Sequence, residues 1–249
     1  MEHLEALVQT HALATLRLLP LLLFPVLSPF AFAPVLVRSV LLLGLASLLV
    51  ALSPPASTPL PQALFLGAML TELSLGLLFA LAFYLPIAAM NFMGRMLDLQ
   101  IGLAAAALLY PSLGNEPEAP ISAFTTLAAQ ALFFALGLHI EALQAVTLSL
   151  ELSPLGGGVA LPDGAALGAM VGAQFTLALL LAAPALTVLF ALDLGTAYAT
   201  RAMPQANVYF LMLPLKVLVG VLMVAVSLRH APGVVREMFS VAQASLVGG

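Results

Sequence analysis

The chain has 249 residues, 63% hydrophobic and only 7% charged, with a mean hydropathy of +1.15. A soluble domain carries about 25% charged residues, so this chain cannot cover a water-facing surface; it is a polytopic membrane protein or a subunit buried among other apolar chains. A net charge of −4 with seven Lys and Arg argues against nucleic acid as a partner, and the absence of cysteine excludes disulfides, thiolate metal sites and thiol nucleophiles.

The N-terminus, Met1 to Arg17, is acidic and lacks the basic n-region of a cleaved signal peptide, so the first apolar run is expected to remain in the mature protein. That run, Ala12 to Ser28, contains Arg17, Pro20 and Pro25, with Pro29 just beyond. A proline inside a helix costs about 3 kcal/mol or more, which predicts a broken or kinked helix here. Val35 to Leu52 follows, with Arg38 near its start, and Ser53 to Pro61 is a loop that no helix can cross. Gln62 to Met90 is long enough to span a bilayer, and Asn91 to Tyr110 is a further helical run with a polar start.

Pro111 to Pro120 is the second loop, with three prolines and two glutamates. Ile121 to Leu150 is a long run carrying His139 and Glu141, and the glycine-rich segment Ser153 to Gly164 is the third loop. Ala165 to Leu192, interrupted by Pro184, leads to a polar break from Arg201 to Lys216, then Val208 to Leu228 and a short tail. Apolar runs of this length give six or seven spans. No soluble domain separates them, so the expectation is an all-α, polytopic, single unit over residues 1–249. The positive-inside rule, applied to Glu2 and Glu5 against Arg229 and Arg236, favours a cytoplasmic tail.

Nine charges lie within or beside the apolar runs: Arg17, Arg38, Glu72, Arg95, Asp98, Glu141, Asp193, Arg201 and Lys216. Each would cost about 2.5–3.5 kcal/mol at the centre of a lipid-facing helix. Together they would exceed ~20 kcal/mol, more than a typical domain's whole stability. They must pair internally, face water or be covered by partner subunits. Spacing suggests Arg95 with Asp98 on one helical face and Asp193 with Arg201 across the break before Pro204, leaving Arg17, Arg38, Glu72, Glu141 and Lys216 without an evident partner.

Enzyme chemistry finds little footing. His3, His11, His139 and His230 are scattered, with no His-Glu-x-x-His, and Gly-x-Ser-x-Gly is absent. An aspartyl dyad of Asp98 and Asp193 would have to share a proton, which the guanidinium of Arg95 opposes. No cofactor is implied. Met90, Met93 and Met96 form a stripe that reads as core packing or, in a protein-conducting role, as a soft gasket. The other membrane class open to this sequence is a secondary transporter, with Glu72, Glu141 or Asp193 carrying protons past broken helices.

The break itself reads Arg201-Ala-Met-Pro204-Gln205-Ala-Asn207-Val208, followed by Pro214-Leu215-Lys216. Pro204 removes a backbone donor, and Gln205 and Asn207 can hydrogen-bond to groups left free there. This pattern resembles the C-terminal hairpin of the export-gate family of type III secretion, the flagellar R-type subunit and its injectisome T-type counterpart. Arg17, Pro34-x-x-x-Arg38, Glu72-x-x-x-Gly76, Leu99-Gln100-Ile101-Gly102, His139, and Ser149 followed by Pro154-Leu155-Gly156 are similar to further motifs of that family. Tyr110-Pro111 departs from the flagellar Asp-Pro. Asp98 and Tyr209 to Met212 look more like the injectisome subunit, whereas Leu215-Lys216 and the His139 and Pro-Leu-Gly matches look flagellar, and the balance favours the flagellar system.

The resemblance implies proline-broken helical hairpins assembled into a multi-subunit gate in the bacterial inner membrane. The partners would be P-type and Q-type subunits, the B-type switch subunit, lipid, and unfolded proteins in transit. It further implies a plug loop made of Leu109, Tyr110, Pro111, Ser112, Leu113, Gly114, Asn115, Glu116, Pro117, Glu118 and Ala119. Subunit-contact or buried polar roles would fall to Arg17, Arg38, Glu72, Arg95, Asp98, Gln100, Asp193, Arg201, Pro204, Gln205, Asn207 and Lys216.

Overall fold

A computed structural model describes residues 1–24, 33–53, 59–103, 119–157, 164–203 and 208–247. Among these the regular structure is entirely α-helical: α1 (Glu2–Leu23), α2 (Val35–Leu52), α3 (Gln62–Ile101), α4 (Pro120–Ala135), α5 (Leu138–Leu152), α6 (Gly164–Ala202), α7 (Val208–Leu228) and α8 (Ala231–Val247). Among the described residues four helices, α1, α2, α3 and α6, are long and apolar enough to cross a membrane, and the number rises to six if the pairs α4–α5 and α7–α8 each form one broken span, which meets the lower end of the six or seven expected.

The helices differ from the expected runs at identifiable residues. α1 continues through the buried Pro20, which lies within one turn of the helix end and forfeits a single backbone bond among buried Leu18, Leu21 and Leu22. It ends at Phe24, in extended conformation before Pro25, as expected for a residue preceding proline. Gln62 to Met90 and the helical run after it form one 40-residue helix through Pro86. The polar start of the second run makes no turn, because Asn91 donates sideways to Thr126 Oγ1 at 2.7 Å. Pro184 likewise lies inside the continuous 39-residue α6. Conversely, the run from Ile121 divides at Gly137, whose φ of +74° no helix accepts. Beyond Leu228 the expected short tail is the 17-residue α8.

The residues group into two compact units. The first holds Met1–Leu85, Gly137–Met170 and Phe239–Gly249. Its core includes Leu13, Leu18, Leu138 and Val146, and a series of stacked rings, Phe79 to Phe83 at 6.4 Å and Phe83 to Phe239 at 6.5 Å. α1 and α3 meet at Gly76, where an added Cβ would collide with the Arg17 carbonyl and lie 2.9 Å from Pro20 Cδ. The second unit holds Pro86–Leu136 and Val171–Met238. Met90, Met93, Leu97, Ile101, Phe133 and Leu189 are buried there. Met90 and Met93 therefore serve as core, while Met96 is 37% exposed.

Outside these cores the surface is apolar. On α2, Val35, Leu36, Val40 and Leu43 are all more than 60% exposed. Such a surface is compatible with lipid or with other apolar chains and incompatible with water.

Candidate functional site

The first unit encloses a charged cluster built from three helices and a turn. Arg17 of α1 and Glu72 of α3 are each 1% exposed. The guanidinium donates from Nε to Glu72 Oε2 at 2.6 Å and from Nη2 to Glu72 Oε1 at 3.0 Å, a bidentate pair. Its remaining donors reach α5 and the turn after it: Nη1 to Ser149 Oγ at 3.1 Å and Nη2 to the Ser153 carbonyl at 2.9 Å. The Gly156 amide donates to Glu72 Oε1 at 3.0 Å. Two residues with no evident partner in the sequence are thus each other's partner, 55 positions apart. The spacing of charges along the chain carries no signal for such a pair.

Arg38, 5% exposed in the first turn of α2, directs Nη1 at the Leu22 and Leu23 carbonyls at 3.5 and 3.4 Å. These are the last carbonyls of α1, so the cation faces the negative end of a helix dipole across long contacts.

In the second unit, Asp98 on α3 is 1% exposed and caps α4 from outside. Its carboxylate accepts from the Ile121 amide at 3.1 Å and the Ser122 amide at 2.7 Å. Those are the second and third helical residues, the donors an N-cap side chain normally satisfies. Ala119, at the N-cap position, has no side chain able to do so. One turn earlier on α3, a Cβ on Gly94 would lie 3.0 Å from the Ser122 nitrogen and collide with Thr125 Oγ1, so the helices are in backbone contact. Asp98 is therefore not paired with Arg95, which is exposed on the same helix. Both carboxylate oxygens are already occupied within the core.

Asp193 of α6 accepts from Lys216 Nζ of α7 at 2.6 Å and from Gln100 Nε2 of α3 at 2.8 Å. The ion pair is partly open, with side chains 20% exposed for Lys216 and 41% for Asp193. The expected partner, Arg201, is exposed instead. That pairing presupposed a break between the two residues, but α6 is continuous past Arg201, and eight helical residues separate them by about 12 Å. Pro204, Gln205 and Asn207 lie outside the described residues, as do Leu109 to Glu118. Of the expected plug loop only Ala119 is described.

Three of these contacts went unread at the level of sequence. Ser153 and Gly156 contribute backbone groups, which residue identity does not advertise. Ser122 receives the Asp98 cap through its amide, in the first turn of a helix that starts at Pro120, the residue expected to close the loop. Among the described residues no three His, Asp or Glu side chains come together as metal ligands. Every carboxylate oxygen of Glu72, Asp98 and Asp193 is occupied by a donor, so all three act as interhelical ties.

The sequence matches the model of a family described as bacterial export proteins, family 1, over residues 8–242. It is similar to the flagellar biosynthetic protein FliR of Caulobacter vibrioides, 29% identical over 65% of this chain and 64% of the relative. The FliR proteins of Bacillus subtilis and Pectobacterium carotovorum are 28% and 24% identical, over 68% and 75% of this chain and 66% and 72% of theirs. The matches thus span about two thirds of the length of these relatives.

Proposed function

Because the chain belongs to the bacterial export proteins, family 1, we propose that it is a membrane component of the flagellar type III protein export apparatus. In this reading it builds the protein-conducting gate in the bacterial inner membrane with P-type and Q-type subunits, adjoins the B-type switch subunit, and passes unfolded substrates without catalysis of its own. The observation that carries the proposal is the family match over nearly the whole chain, with flagellar relatives beside it.

The helices support it physically. α3 and α6 have 40 and 39 residues, a length of about 60 Å each against a hydrocarbon core of about 30 Å. Chains of that length with apolar exposed faces suit an assembly that extends beyond the bilayer. Residues Leu109 to Ala119 act in this proposal as the plug of the closed channel, and Asp98 supports that role by fixing the backbone at Ile121 and Ser122, just past the loop.

Native mass spectrometry of the tagged chain, co-expressed with its candidate P-type and Q-type subunits in mild detergent, tests the assembly. One copy inside a stable hetero-oligomer is expected. A well-behaved monomer or homodimer that binds no partner would refute it and favour the transporter class. Deleting Leu109 to Ala119 should make cells leak ions; tight cells would refute the plug.

A further inference from the structure

The first unit carries an open groove of about 880 Å³ along one face of α5, lined by Glu141, Gln144, Leu148 and Glu151 with Leu52 of α2 and Gln243 of α8. Being open, the groove can seat one side of a helix of diameter about 10–12 Å rather than enclose it. The carboxylates here contrast with those of Glu72, Asp98 and Asp193. Among the described residues neither Glu141 nor Glu151 forms an ion pair, and neither accepts any of the hydrogen bonds that satisfy the other three acids.

The two acids differ in their own helix. Glu141 sits in the first turn of α5, where the helix dipole favours an anion. Glu151 sits in the last turn, which holds no basic residue, so the dipole opposes its charge and no side chain of that turn offsets it. Gln243, lining the same groove, has its Nε2 donor buried without an acceptor. Between the acids, Leu148 is 41% exposed, and Leu52 beside them is 58% exposed. The groove therefore combines an apolar seam with two anionic ends.

We propose that this groove docks an apolar helix of another subunit of the assembly, carrying two basic residues about ten positions apart with an apolar residue between them. The spacing follows from Glu141 and Glu151, which lie ten residues and about 15 Å apart on one helix. A second copy of this chain fits poorly. Arg17 and Arg38 are buried and Lys216 is engaged by Asp193. Of the exposed basic residues, Arg95 and Arg201 are alone on α3 and α6, and Arg229 lies in the turn before α8, which carries Arg236, so no helix of this chain presents two exposed basic residues ten positions apart.

The occupant rests on the gate reading above, and the experiment separates the two. The full chain is co-expressed with the candidate P-type and Q-type subunits as wild type, E141Q/E151Q and E141K/E151K. The fraction in the hetero-oligomer is measured by native mass spectrometry at two salt concentrations. Both positions are at least partly exposed, so the variants should fold, which the melting temperature of the separated chain checks. The lysine pair should lower the assembled fraction at least tenfold and the glutamine pair several-fold, with wild-type assembly weakening at high salt. Assembly of E141K/E151K at the wild-type level would overturn the groove proposal and leave the gate reading standing. Failure of wild type to assemble at all would overturn the gate reading and this occupant with it. Carbodiimide coupling of the wild-type complex gives a second readout: Glu141 or Glu151 joined to a partner's lysine supports the proposal. Coupling only to Lys216, the chain's single lysine, would replace the partner by a second copy.

Discussion

Substituting Glu72 by alanine should be the most damaging single change within the first unit. The carboxylate accepts three hydrogen bonds, two from Arg17 and one from the Gly156 amide, and lies 1% exposed. Its removal strands a guanidinium that is also 1% exposed, with only Ser149 and the Ser153 carbonyl to answer it. Breaking a buried ion pair from one side costs about 3–5 kcal/mol, because the surviving charge remains desolvated. For a chain of this size about 2–4 °C of melting temperature accompanies each kcal/mol, so a drop on the order of 6–20 °C is expected. Replacing both partners, as R17M/E72L, removes the stranded charge and should recover much of that loss, since a packed apolar pair is often neutral or better. Thermal unfolding of wild type, E72A, R17M, E72L and R17M/E72L in one detergent gives the coupling directly. If the R17M and E72L effects add to that of R17M/E72L within about 0.5 kcal/mol, the two residues do not act as a pair and the reasoning fails.

The other ties make separate predictions. D98A should cost about 1–3 kcal/mol by leaving the Ile121 and Ser122 amides without their cap, and hydrogen exchange should accelerate at those two amides; unchanged exchange would refute the cap. G76A should destabilise by roughly 1–3 kcal/mol, because the new Cβ meets the backbone of Arg17 rather than a movable side chain. G168A, where nothing lies within 4 Å, should leave the melting temperature of the separated chain unchanged or raise it slightly. K216A should cost less than E72A, because Asp193 is 41% exposed and keeps its hydrogen bond from Gln100 Nε2; a loss as large as that of E72A would refute this ranking.

Much of the architecture was legible in the chain itself. Composition alone demanded a membrane or buried setting, and Val35–Leu52 and Val208–Leu228 begin and end where hydropathy and proline placed them. Of the charges singled out as costly in lipid, Arg17, Arg38, Glu72 and Asp98 are buried, whereas Arg95 and Arg201 are exposed. Their pairing was not legible. Local spacing suggested Arg95 with Asp98 and Asp193 with Arg201, whereas Arg17 meets Glu72 and Asp98 meets backbone amides 23 and 24 positions away. Proline was likewise an incomplete guide: α1, α3 and α6 each continue through one, while Gly137 divides a run that hydropathy left whole. Periodicity and transfer energies act along the chain, so sequence determines which segments are helices and which charges need an answer. Which group answers each charge depends on how helices pack, and only the tertiary structure decides that, because a buried ion seeks the nearest donor in space rather than the nearest in sequence.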